Sequence, residues 1–344
     1  MNKDSSLKIL FIGGTGTISK AVLELVSKLD VEIYILNRGN KLGDIPREIR
    51  FKFIQGDIRE YDNIKQKLEN LHFDIVVDWI AYNPQHILND ISLFGENLKQ
   101  YIFISSASVY EKPLKHYIVT ENTPLNNPFW KYSQEKIECE KLLLNEFEKN
   151  KFPITIVRPS HTYYKTIPYI FNSKTNPWTL IDRLQKGKKI IVPGDGTSLW
   201  TLTHAKDFAR GFMGLLNNPN AIGQSFHITS DEVLTWNSII TTIAESIGVV
   251  PNIIHIPSDL ICSYFPEYTG SLIGDKSNSI VFDNSKIKKY VPNFCSEILF
   301  KEGIEESIKW YISKHEMCSV DYEFNEKMDN MIKYYENKFI ETSL

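Results

Sequence analysis

The 344-residue sequence lacks an excess of basic residues, clustered cysteines and long apolar runs. Its 39 lysines and arginines are outnumbered by 42 aspartates and glutamates, so the formal net charge is −3 and the basic footprint of a nucleic-acid-binding protein is missing. The four cysteines are scattered, with no Cys-x-x-Cys pair and no metal-like spacing with histidine: Cys139, Cys262, Cys295 and Cys318. We therefore expect reduced cysteines, no metal site and no nucleic-acid partner.

The apolar run near the amino terminus is also too short for the core of a signal peptide or for a membrane span. This favours a cytoplasmic protein without a membrane partner. With 42% hydrophobic and 24% charged residues, the chain can bury a sizeable core as one large domain or two joined domains. Chemistry on a small-molecule substrate is the function class that these properties favour.

Short apolar runs alternate with helical patterns through the first half of the sequence. Continuous apolar runs are typical of strands that are covered on both faces in a parallel sheet. The runs are residues 8–14, 32–37, 51–54, 74–80, 101–105 and 153–158. Helical patterns lie between several of them, at residues 18–29, 85–98 and 131–150. This alternation predicts an α/β fold with a doubly wound, parallel Rossmann-type sheet.

Beyond Pro159 the alternation fails, and Pro, Gly, Asn and Ser become frequent among short strands such as 189–192 and 225–229. This predicts a dinucleotide-binding domain at residues 1–165, with return segments near 200–235, and a smaller mixed α/β substrate lobe mainly at 166–344. Two helical patterns follow, at 303–314 and 323–339, and the second carries an apolar stripe. The stripe consists of Phe324, Met328, Met331, Ile332, Tyr335 and Phe339. We expect it to pack on its own lobe, and a homodimer contact is the alternative.

A glycine-rich turn follows the first apolar run and leads directly into a helix. Glycines let the backbone come close to a ligand, and the N–H groups of a helix amino terminus can hold a pyrophosphate. The third glycine of the usual fingerprint is replaced by Ser19, which is small enough to keep helix and strand close. The predicted cofactor-binding residues of this turn are Gly13, Gly14, Thr15, Gly16, Thr17 and Ile18.

The second run ends in Asn37 and Arg38, with no carboxylate where an NAD enzyme would bind the ribose 2′-hydroxyl. The planar fork of an arginine can instead pair with a 2′-phosphate, so NADP is favoured over NAD. After the third run, Asp57 and Ile58 are placed to meet the adenine ring. Ala81, after the fourth run, is placed to border the ribose or the nicotinamide.

Three residues downstream suggest proton transfer: Ser106, Tyr132 and Lys136. Tyr132 and Lys136 are four residues apart on a predicted helix, so both side chains lie on one face. A free tyrosine titrates near pH 10, and a nearby ammonium group favours the phenolate and lowers its pKa toward a useful range. The pair therefore predicts acid–base chemistry.

The motifs GGTGTIS at 13–19, GD at 56–57, SSASVY at 105–110, YSQEK at 132–136 and VRPSHTY at 157–163 together resemble the extended short-chain dehydrogenase/reductase family. This is the family of UDP-galactose 4-epimerase and of the nucleotide-sugar dehydratases and reductases. The resemblance implies that Tyr132 moves the proton while nicotinamide takes or gives a hydride. It also implies that Ser106 hydrogen-bonds the reacting oxygen and that Lys136 binds the nicotinamide ribose and assists Tyr132.

Two departures from the family limit the substrate. The 4,6-dehydratases carry Asp-Glu where this chain has Ala107 and Ser108. Because the elimination of water requires an added acid and base, we do not expect that dehydration. The arginines that commonly grip the diphosphate of a nucleotide sugar are also missing. A diphosphate would need other cations, namely Lys165, Lys174, Arg183 or Lys276, and a smaller polyol, sugar or ketone is a rival substrate.

The resemblance leaves an epimerase and a reductase open, both acting on a sugar-like or nucleotide-sugar substrate. The alternative is a non-catalytic dinucleotide sensor, or an RNA-associated protein like the chloroplast stem-loop-binding proteins, which share the scaffold. Residues that flank the expected cleft are candidates for contact with the substrate: Ser108, His161, Tyr163, Trp200 and His204. Packed side chains without a ligand are the simpler interpretation of both histidines and of the aromatic residues.

Overall fold

The computed structural model of the chain describes residues 6–95 and 97–340. Its centre is a sheet of seven parallel strands in the order β7-β6-β5-β4-β1-β2-β3. The strands are β1 (Leu7–Ile12), β2 (Val31–Asn37), β3 (Lys52–Gln55), β4 (Ile75–Asp78), β5 (Gln100–Ile104), β6 (Ile154–Pro159) and β7 (Gln224–Ile228). The order reverses between β1 and β4, where a doubly wound sheet opens its ligand crevice. The predicted Rossmann-type fold is confirmed.

Helices cover both faces of this sheet because successive strand residues point to opposite sides. In β1, Ile9 and Phe11 join the core on one face, whereas Leu10 and Ile12 join the core on the other. The five covering helices are α1 (Thr17–Val26), α2 (Tyr61–Leu68), α3 (Pro84–Phe94), α4 (Lys131–Asn150) and α5 (Ala205–Met213). Helices α1 and α5 cover the first face, and α2, α3 and α4 cover the second.

The remaining elements form a second lobe around its own aromatic-rich core. In the described part of the chain, its eight strands form four two-stranded sheets, which pair Ile118–Val119 with Val281–Phe282, His161–Tyr163 with Leu202–His204, Lys189–Pro193 with Asn252–Ile256, and Leu199–Trp200 with Leu234–Thr235. Its longer helices are Thr179–Gln185, Trp236–Glu245, Ser258–Tyr264, Phe300–Ser313 and Tyr322–Tyr335. The short helix Ser285–Tyr290 instead places Ile287 in the core on the first face of the central sheet. The strand expected at 225–229 among the short strands is instead β7 of the central sheet.

The apolar stripe of the last helix packs on its own lobe. Phe324, Met328, Met331 and Ile332 are buried in the core of that lobe, and Tyr335 packs against it. The side chain of Phe339 lies outside the described part of the structure. The stripe is therefore occupied within the chain, and the domain limits at residue 165 stay a prediction.

Candidate functional site

The glycine-rich turn between β1 and α1 leaves little room for a side chain at Gly13 and Gly14. Gly13 and Gly14 have positive φ angles of 97° and 71°, a region that glycine adopts without strain. A Cβ on Gly13 would lie 2.9 Å from Cγ2 of Ile80, and one on Gly14 would lie 3.2 Å from Cγ2 of Ile35. Thr17 and Ile18 follow in the first turn of α1, where Ser19 Oγ accepts a 2.8 Å hydrogen bond from the N–H of Gly16. The turn is a backbone cradle that suits a pyrophosphate.

Asn37 joins this turn to the end of β2. Its side-chain amide donates to the carbonyl of Gly13 at 2.9 Å, and its Oδ1 accepts from the N–H of Gly39 at 2.7 Å. Both ends of the side chain are therefore engaged in holding the loop. Arg38, the next residue, is exposed and lines an open groove of about 320 Å³ beside the glycine turn.

The same groove collects most of the residues that the sequence predicts for the adenosine half of a dinucleotide. Its lining includes Gly13, Thr15, Asn37, Arg38, Asp57 and Ile58. Asp57 accepts a hydrogen bond from the N–H of Arg59 at 3.1 Å, which fixes the loop after β3. Ala81 lies behind the groove and is buried; its N–H donates to the Asp78 carboxylate at 2.9 Å. The structure thus brings the predicted cofactor residues to one edge of the sheet.

Ser106 lies after β5 and caps a short 3-10 turn, Ala107–Val109. Its hydroxyl is 2.9 Å from that of Ser108, which in turn accepts a 2.7 Å hydrogen bond from Ser133 on α4. Asn127 Nδ2 donates to the carbonyl of Ser108 at 2.8 Å and to the carbonyl of Gly274 at 2.6 Å. A chain of three hydroxyl groups therefore connects Ser106 with the helix that carries Tyr132.

Tyr132 is in the first turn of α4, with its ring 5.0 Å from that of Trp130 and 6.2 Å from that of Tyr82. Burial raises the pKa of the Tyr132 phenol to about 12, while its hydrogen bond with Ser106 opposes that rise. This differs from the expected lowering by Lys136. The physical reason is that desolvation penalises the phenolate more than this hydrogen bond stabilises it.

Lys136 is fully buried one turn further along α4, and its ammonium group points at two backbone carbonyls. Nζ donates to the carbonyl of Ala81 at 2.6 Å and to that of Ile104 at 2.7 Å. It also lies 5.9 Å from the centre of the Tyr132 ring. Burial lowers the pKa of Lys136 to about 8, although the nearby Asp78 carboxylate favours the charged form. Lys136 thus connects the ends of β4 and β5 beneath the phenol.

A cavity of about 310 Å³ opens above Ser106 and Tyr132. One part of its lining is the 3-10 turn after β5. Another part is the chain that follows β6, which contributes Ser160, His161 and Thr162. The lining also includes Trp130, Asp275, Lys276 and Phe282. Ile18 of α1 also lines it, so the cavity adjoins the glycine turn. Four of the predicted catalytic and substrate residues therefore share one space: Ser106, Ser108, Tyr132 and His161.

Comparisons with known proteins identify the family. Residues 9–229 match the sequence profile described as the NAD dependent epimerase/dehydratase family. The chain belongs to this family. The recognition of the extended short-chain dehydrogenase/reductase type is confirmed, and with it the enzyme class and a nicotinamide cofactor. The match does not distinguish NADP from NAD.

Two curated relatives are similar along much of the chain. It is 27% identical over 269 residues to the chloroplast stem-loop binding protein of 41 kDa b from Arabidopsis thaliana, covering 74% of this chain and 67% of that protein. It is 27% identical over 275 residues to dTDP-D-glucose 4,6-dehydratase from Dictyostelium discoideum, covering 67% of this chain and 62% of that protein. The chain therefore matches less than two thirds of the second relative's length.

Among solved structures, dTDP-glucose 4,6-dehydratase from Bacillus anthracis in complex with NAD has the same fold. The TM-score is 0.73 at 19% sequence identity, and the alignment covers 91% of this chain and 98% of that chain. At 19% identity this likeness shows a shared fold and says nothing about which residues of this chain contact a substrate.

Only some of the predicted substrate residues of this family member reach the cavity. Ser108 and His161 line it, and burial lowers the pKa of His161 to about 3, with Lys276 as a second cause. Tyr163 and His204 are buried instead under the helix Phe300–Ser313, with the Tyr163 ring edge-on to the His204 ring at 5.4 Å. Trp200 is buried against Trp236 at 5.6 Å. We therefore leave Tyr163, Trp200 and His204 out of the proposed substrate contacts.

The sequence reasoning missed most of the wall that faces Tyr132. Trp130 and Asp275 line the cavity, and Asn127 positions both sides of it. Trp130 adjoins the Tyr-x-x-x-Lys motif, so its proximity could have signalled a role. Asp275 lies more than 140 residues after Tyr132 in the sequence, and no local pattern connects it with the Tyr-x-x-x-Lys motif.

Across residues 6–95 and 97–340, no helix is long and apolar enough to cross a membrane. The same residues contain no cluster of three or more His, Cys, Asp or Glu side chains arranged to hold a metal ion.

Proposed function

We propose that the protein is an NAD(P)-dependent epimerase or reductase that acts on a hydroxyl or keto group of a sugar-like or nucleotide-sugar substrate. One observation carries the proposal: Ser106 and Tyr132 share a cavity beside the glycine turn, and Lys136 lies beneath them. A phenol, a hydroxyl group and an ammonium group at this place supply an acid–base residue, an oxygen-binding group and a positive charge.

Each residue has a separate role in the proposal. Tyr132 transfers the proton to or from the substrate oxygen, and Ser106 donates a hydrogen bond to that oxygen. Lys136, held by the Ala81 and Ile104 carbonyls, positions the ribose hydroxyls and places a positive charge below the phenol. A bound nicotinamide supplies the acceptor or donor of a hydride. The residues fit this cofactor because Gly13 and Gly14 adopt the positive φ angles of a tight turn and the amino terminus of α1 follows that turn directly.

The preferred cofactor in this proposal is NADP. Arg38 lies at the edge of the groove where the adenosine ribose would bind, and it is exposed. Asn37 offers no carboxylate for a 2′-hydroxyl, and both ends of its side chain are engaged with Gly13 and Gly39. A guanidinium group can pair with a 2′-phosphate through two parallel hydrogen bonds.

Elimination of water is not part of the proposal, although both a relative and a similar solved structure are named 4,6-dehydratases. That chemistry needs an added acid and base beside Ser106. Ala107 has neither, and the hydroxyl of Ser108 is engaged with those of Ser106 and Ser133. Simple hydride and proton transfer is the reaction that these residues support.

Replacement of the phenol tests the proposal. The purified protein is supplied with NADP or NAD and with dTDP-glucose, UDP-glucose and small sugars and ketones, and conversion is followed by nicotinamide absorbance and product chromatography. Tyr132→Phe should reduce turnover about 100-fold or more, because general acid–base catalysis contributes about that much. Tyr117→Phe, the same change at an exposed tyrosine, should leave turnover unchanged. Equal turnover in the two variants would refute the assignment.

The state of the cofactor after purification separates the two reactions. An epimerase uses the hydride twice within one turnover and keeps its cofactor, whereas a reductase exchanges it. Nicotinamide absorbance in the purified protein therefore favours the epimerase. A protein that purifies without nicotinamide favours the reductase.

Binding of RNA is a second candidate because the Arabidopsis relative is named a stem-loop binding protein. The formal net charge of −3 argues against it, since RNA binding relies on a basic surface. A gel-shift titration with a structured RNA at physiological salt decides between them. A shift at submicromolar protein, insensitive to Tyr132→Phe, would favour RNA binding over the proposed enzyme.

A further inference from the structure

Two buried aspartates lie close to Lys136, and neither the sequence motifs nor the proposed chemistry uses them. Asp78 ends β4, Asp90 is in α3, and each is only 1% exposed. The hydroxyl group of Tyr101, a fully buried residue of β5, is 2.6 Å from Asp90 Oδ2 and 3.4 Å from Asp78 Oδ2. Two carboxyl groups therefore approach the same phenol in the core of the domain.

The two carboxyl groups hold one proton between them. Two like charges this close in a buried environment do not both ionise near neutral pH. The proton is on Asp90, because burial and the neighbouring Asp78 charge raise the pKa of Asp90 well above its ordinary range, and a hydrogen bond with Asp78 raises it further. Burial also raises the pKa of Tyr101, so the phenol remains a hydrogen-bond donor. The pair therefore carries a single negative charge, on Asp78.

The hydrogen bonds of this group all run toward Asp78. Tyr101 donates to Asp90, and the protonated Asp90 carboxyl group donates to Asp78. Asp78 Oδ1 accepts from the N–H groups of Ile80 at 2.6 Å and Ala81 at 2.9 Å. The cavity that adjoins the pair has a volume of about 10 Å³, which is room for about one water molecule. Bulk water therefore does not solvate a second negative charge at this place.

Ala81 connects the pair with Lys136. Its N–H donates to Asp78 Oδ1 at 2.9 Å, and its carbonyl accepts from Lys136 Nζ at 2.6 Å. Asp78 thus fixes the residue whose carbonyl orients the ammonium group. Burial lowers the pKa of Lys136 to about 8, and Asp78 is the largest of the nearby charges that oppose this effect. One negative charge on the pair therefore balances one buried ammonium group.

The other acidic groups near Lys136 on α4 are not available as counter-charges. The Glu140 carboxylate is bound by the Arg158 guanidinium group through two hydrogen bonds. The Cys139 thiol stays protonated near neutral pH, because burial raises its pKa to about 12. This leaves Asp78 as the carboxylate that compensates Lys136 within the described residues.

The groups on the α3 side and around the ammonium group add no competing charge. His86 is uncharged near neutral pH because burial lowers its pKa, with Arg59 as a second cause. Arg59 is exposed and lies 3.5 Å from the carboxylate of Asp57. The rings of Tyr82 and Tyr132 lie 5.1 Å and 5.9 Å from Lys136 Nζ, and such contacts attract a cation without supplying a counter-charge.

We propose that Asp78 is a positioning residue for Lys136, and that Asp90 carries the proton that leaves this buried pair with one negative charge. Asp78 orients the Lys136 ammonium group through Ala81 and keeps it charged. This inference rests on the proposed function, because it assumes that Lys136 takes part in the reaction. It extends the site from the three motif residues to a charge-balanced group that reaches α3.

The ionisation of Lys136 tests the inference without turnover. NMR of the cofactor-free protein labelled at lysine Cε follows the titration, and Lys136→Met assigns the signal. Asp78→Asn should lower the pKa of Lys136 from about 8 to about 7 or below, because a nearby opposite charge is lost. Asp90→Asn copies a protonated carboxyl group in shape and charge, so it should leave this pKa at about 8. The double variant Asp78→Asn/Asp90→Asn should lower the pKa at least as far as Asp78→Asn does.

Infrared spectroscopy detects the proton on Asp90. A protonated carboxyl group has a carbonyl stretching band that a carboxylate lacks, so the difference spectrum between the native protein and Asp90→Asn at neutral pH should contain this band. Asp62→Asn, at an exposed position of α2, should show no such band and should leave turnover unchanged. Thermal unfolding of each variant shows that it is folded.

Turnover provides a pH-dependent measurement that purely structural damage would not produce. An ammonium group is charged below its pKa, so a lower pKa of Lys136 removes the charge at a lower pH. With any substrate that the protein converts, Asp78→Asn should therefore reduce turnover more at pH 8 than at pH 6, relative to the native protein. An equal reduction at both pH values would overturn the inference.

The spectroscopic outcomes are also decisive in the other direction. A Lys136 pKa that Asp78→Asn does not lower overturns the inference, as does the absence of the carbonyl band. If Asp78→Asn does not fold, Asp90→Asn decides alone, because a lowered Lys136 pKa in that variant would mean that Asp90 carries the charge. Turnover that is indifferent to Tyr132→Phe would instead refute the proposed function. The results on the cofactor-free protein would still stand in that case, so the two failures are distinguishable.

Discussion

The Arg158 guanidinium group and the Glu140 carboxylate form a bidentate ion pair beneath the candidate site. Nη2 is 2.6 Å from Oε2, and Nε is 3.0 Å from Oε1. Ser105, the residue before Ser106, donates to the same carboxylate at 2.5 Å. Glu140 follows Tyr132 and Lys136 at intervals of four residues on α4, so the ion pair fixes the helix face that carries both.

Glu140→Gln should lower the free energy of unfolding by about 3 kcal/mol, because it leaves the buried guanidinium group without its counter-charge. Urea unfolding followed by circular dichroism measures the change. Glu138→Gln on the same helix is the matched control. Glu138 forms an exposed pair with Lys141, and its loss should cost less than about 1 kcal/mol. Equal costs at the two positions would contradict the role given to the Glu140–Arg158 pair.

Arg38→Ala should weaken binding of NADPH at least about tenfold and leave binding of NADH within about twofold, because only NADPH has a 2′-phosphate for the guanidinium group. Fluorescence of the bound reduced nicotinamide gives both dissociation constants. Arg47→Ala, at an exposed position outside the groove, should affect neither cofactor. An equal loss for NADPH and NADH would remove the argument for NADP.

The Tyr132 phenol should remain protonated at pH 10 in the cofactor-free protein, since burial raises its pKa to about 12. A raised pKa means that the phenolate is scarce near neutral pH, so the rate of alcohol oxidation should rise with pH through the alkaline range. NMR of protein labelled at the tyrosine Cζ measures the titration, and Tyr132→Phe assigns the signal. Oxidised cofactor should lower this pKa because its nicotinamide ring is positively charged. A cofactor-free Tyr132 that titrates well below pH 10 would show that burial does not control the phenol.

Gly270→Ala should destabilise the protein by about 1–3 kcal/mol, the usual cost of overpacking. A Cβ at this position would overlap Cδ1 of the Trp130 indole, so the segment around Gly270 would have to move away from Trp130. Gly43→Ala is the control because a Cβ there meets nothing within 4 Å. Thermal unfolding compares the two variants. A Gly270→Ala protein as stable as the Gly43→Ala control would show that the packing of Gly270 on Trp130 does not hold this side of the cavity.

The strands of the sheet could be predicted because each one combines an apolar run with a following turn. Observed strand ends differ from the predicted ones by one or two residues in most cases, as for β5, expected at 101–105 and found at Gln100–Ile104. The edge strand β7 was harder to place, since it lies more than 60 residues after β6 and pairs with it only in the folded chain. Sequence patterns carry local periodicity and little information on such distant pairing.

The candidate site could likewise be predicted only in part from the sequence. Ser106, Tyr132 and Lys136 follow from motif spacing, and Glu140 could have been found by extending that spacing one more turn of α4. The pKa of Tyr132 could not be predicted, because burial depends on Trp130 and Tyr82 around the ring. Lys112 and Asp275 are 163 positions apart in the sequence, and only the coordinates bring them to 3.9 Å.

Asn127 has a consequence for how small molecules reach Tyr132. Its single amide group serves the carbonyl of Ser108 and the carbonyl of Gly274, and Asn127 itself is buried. If the Gly274 segment swung outward, a buried carbonyl oxygen would lose its donor, and such a loss is costly. A small molecule therefore enters the cavity at least cost through its existing opening, without movement of the Gly274 segment. We expect the shape of this opening to limit which molecules reach Tyr132.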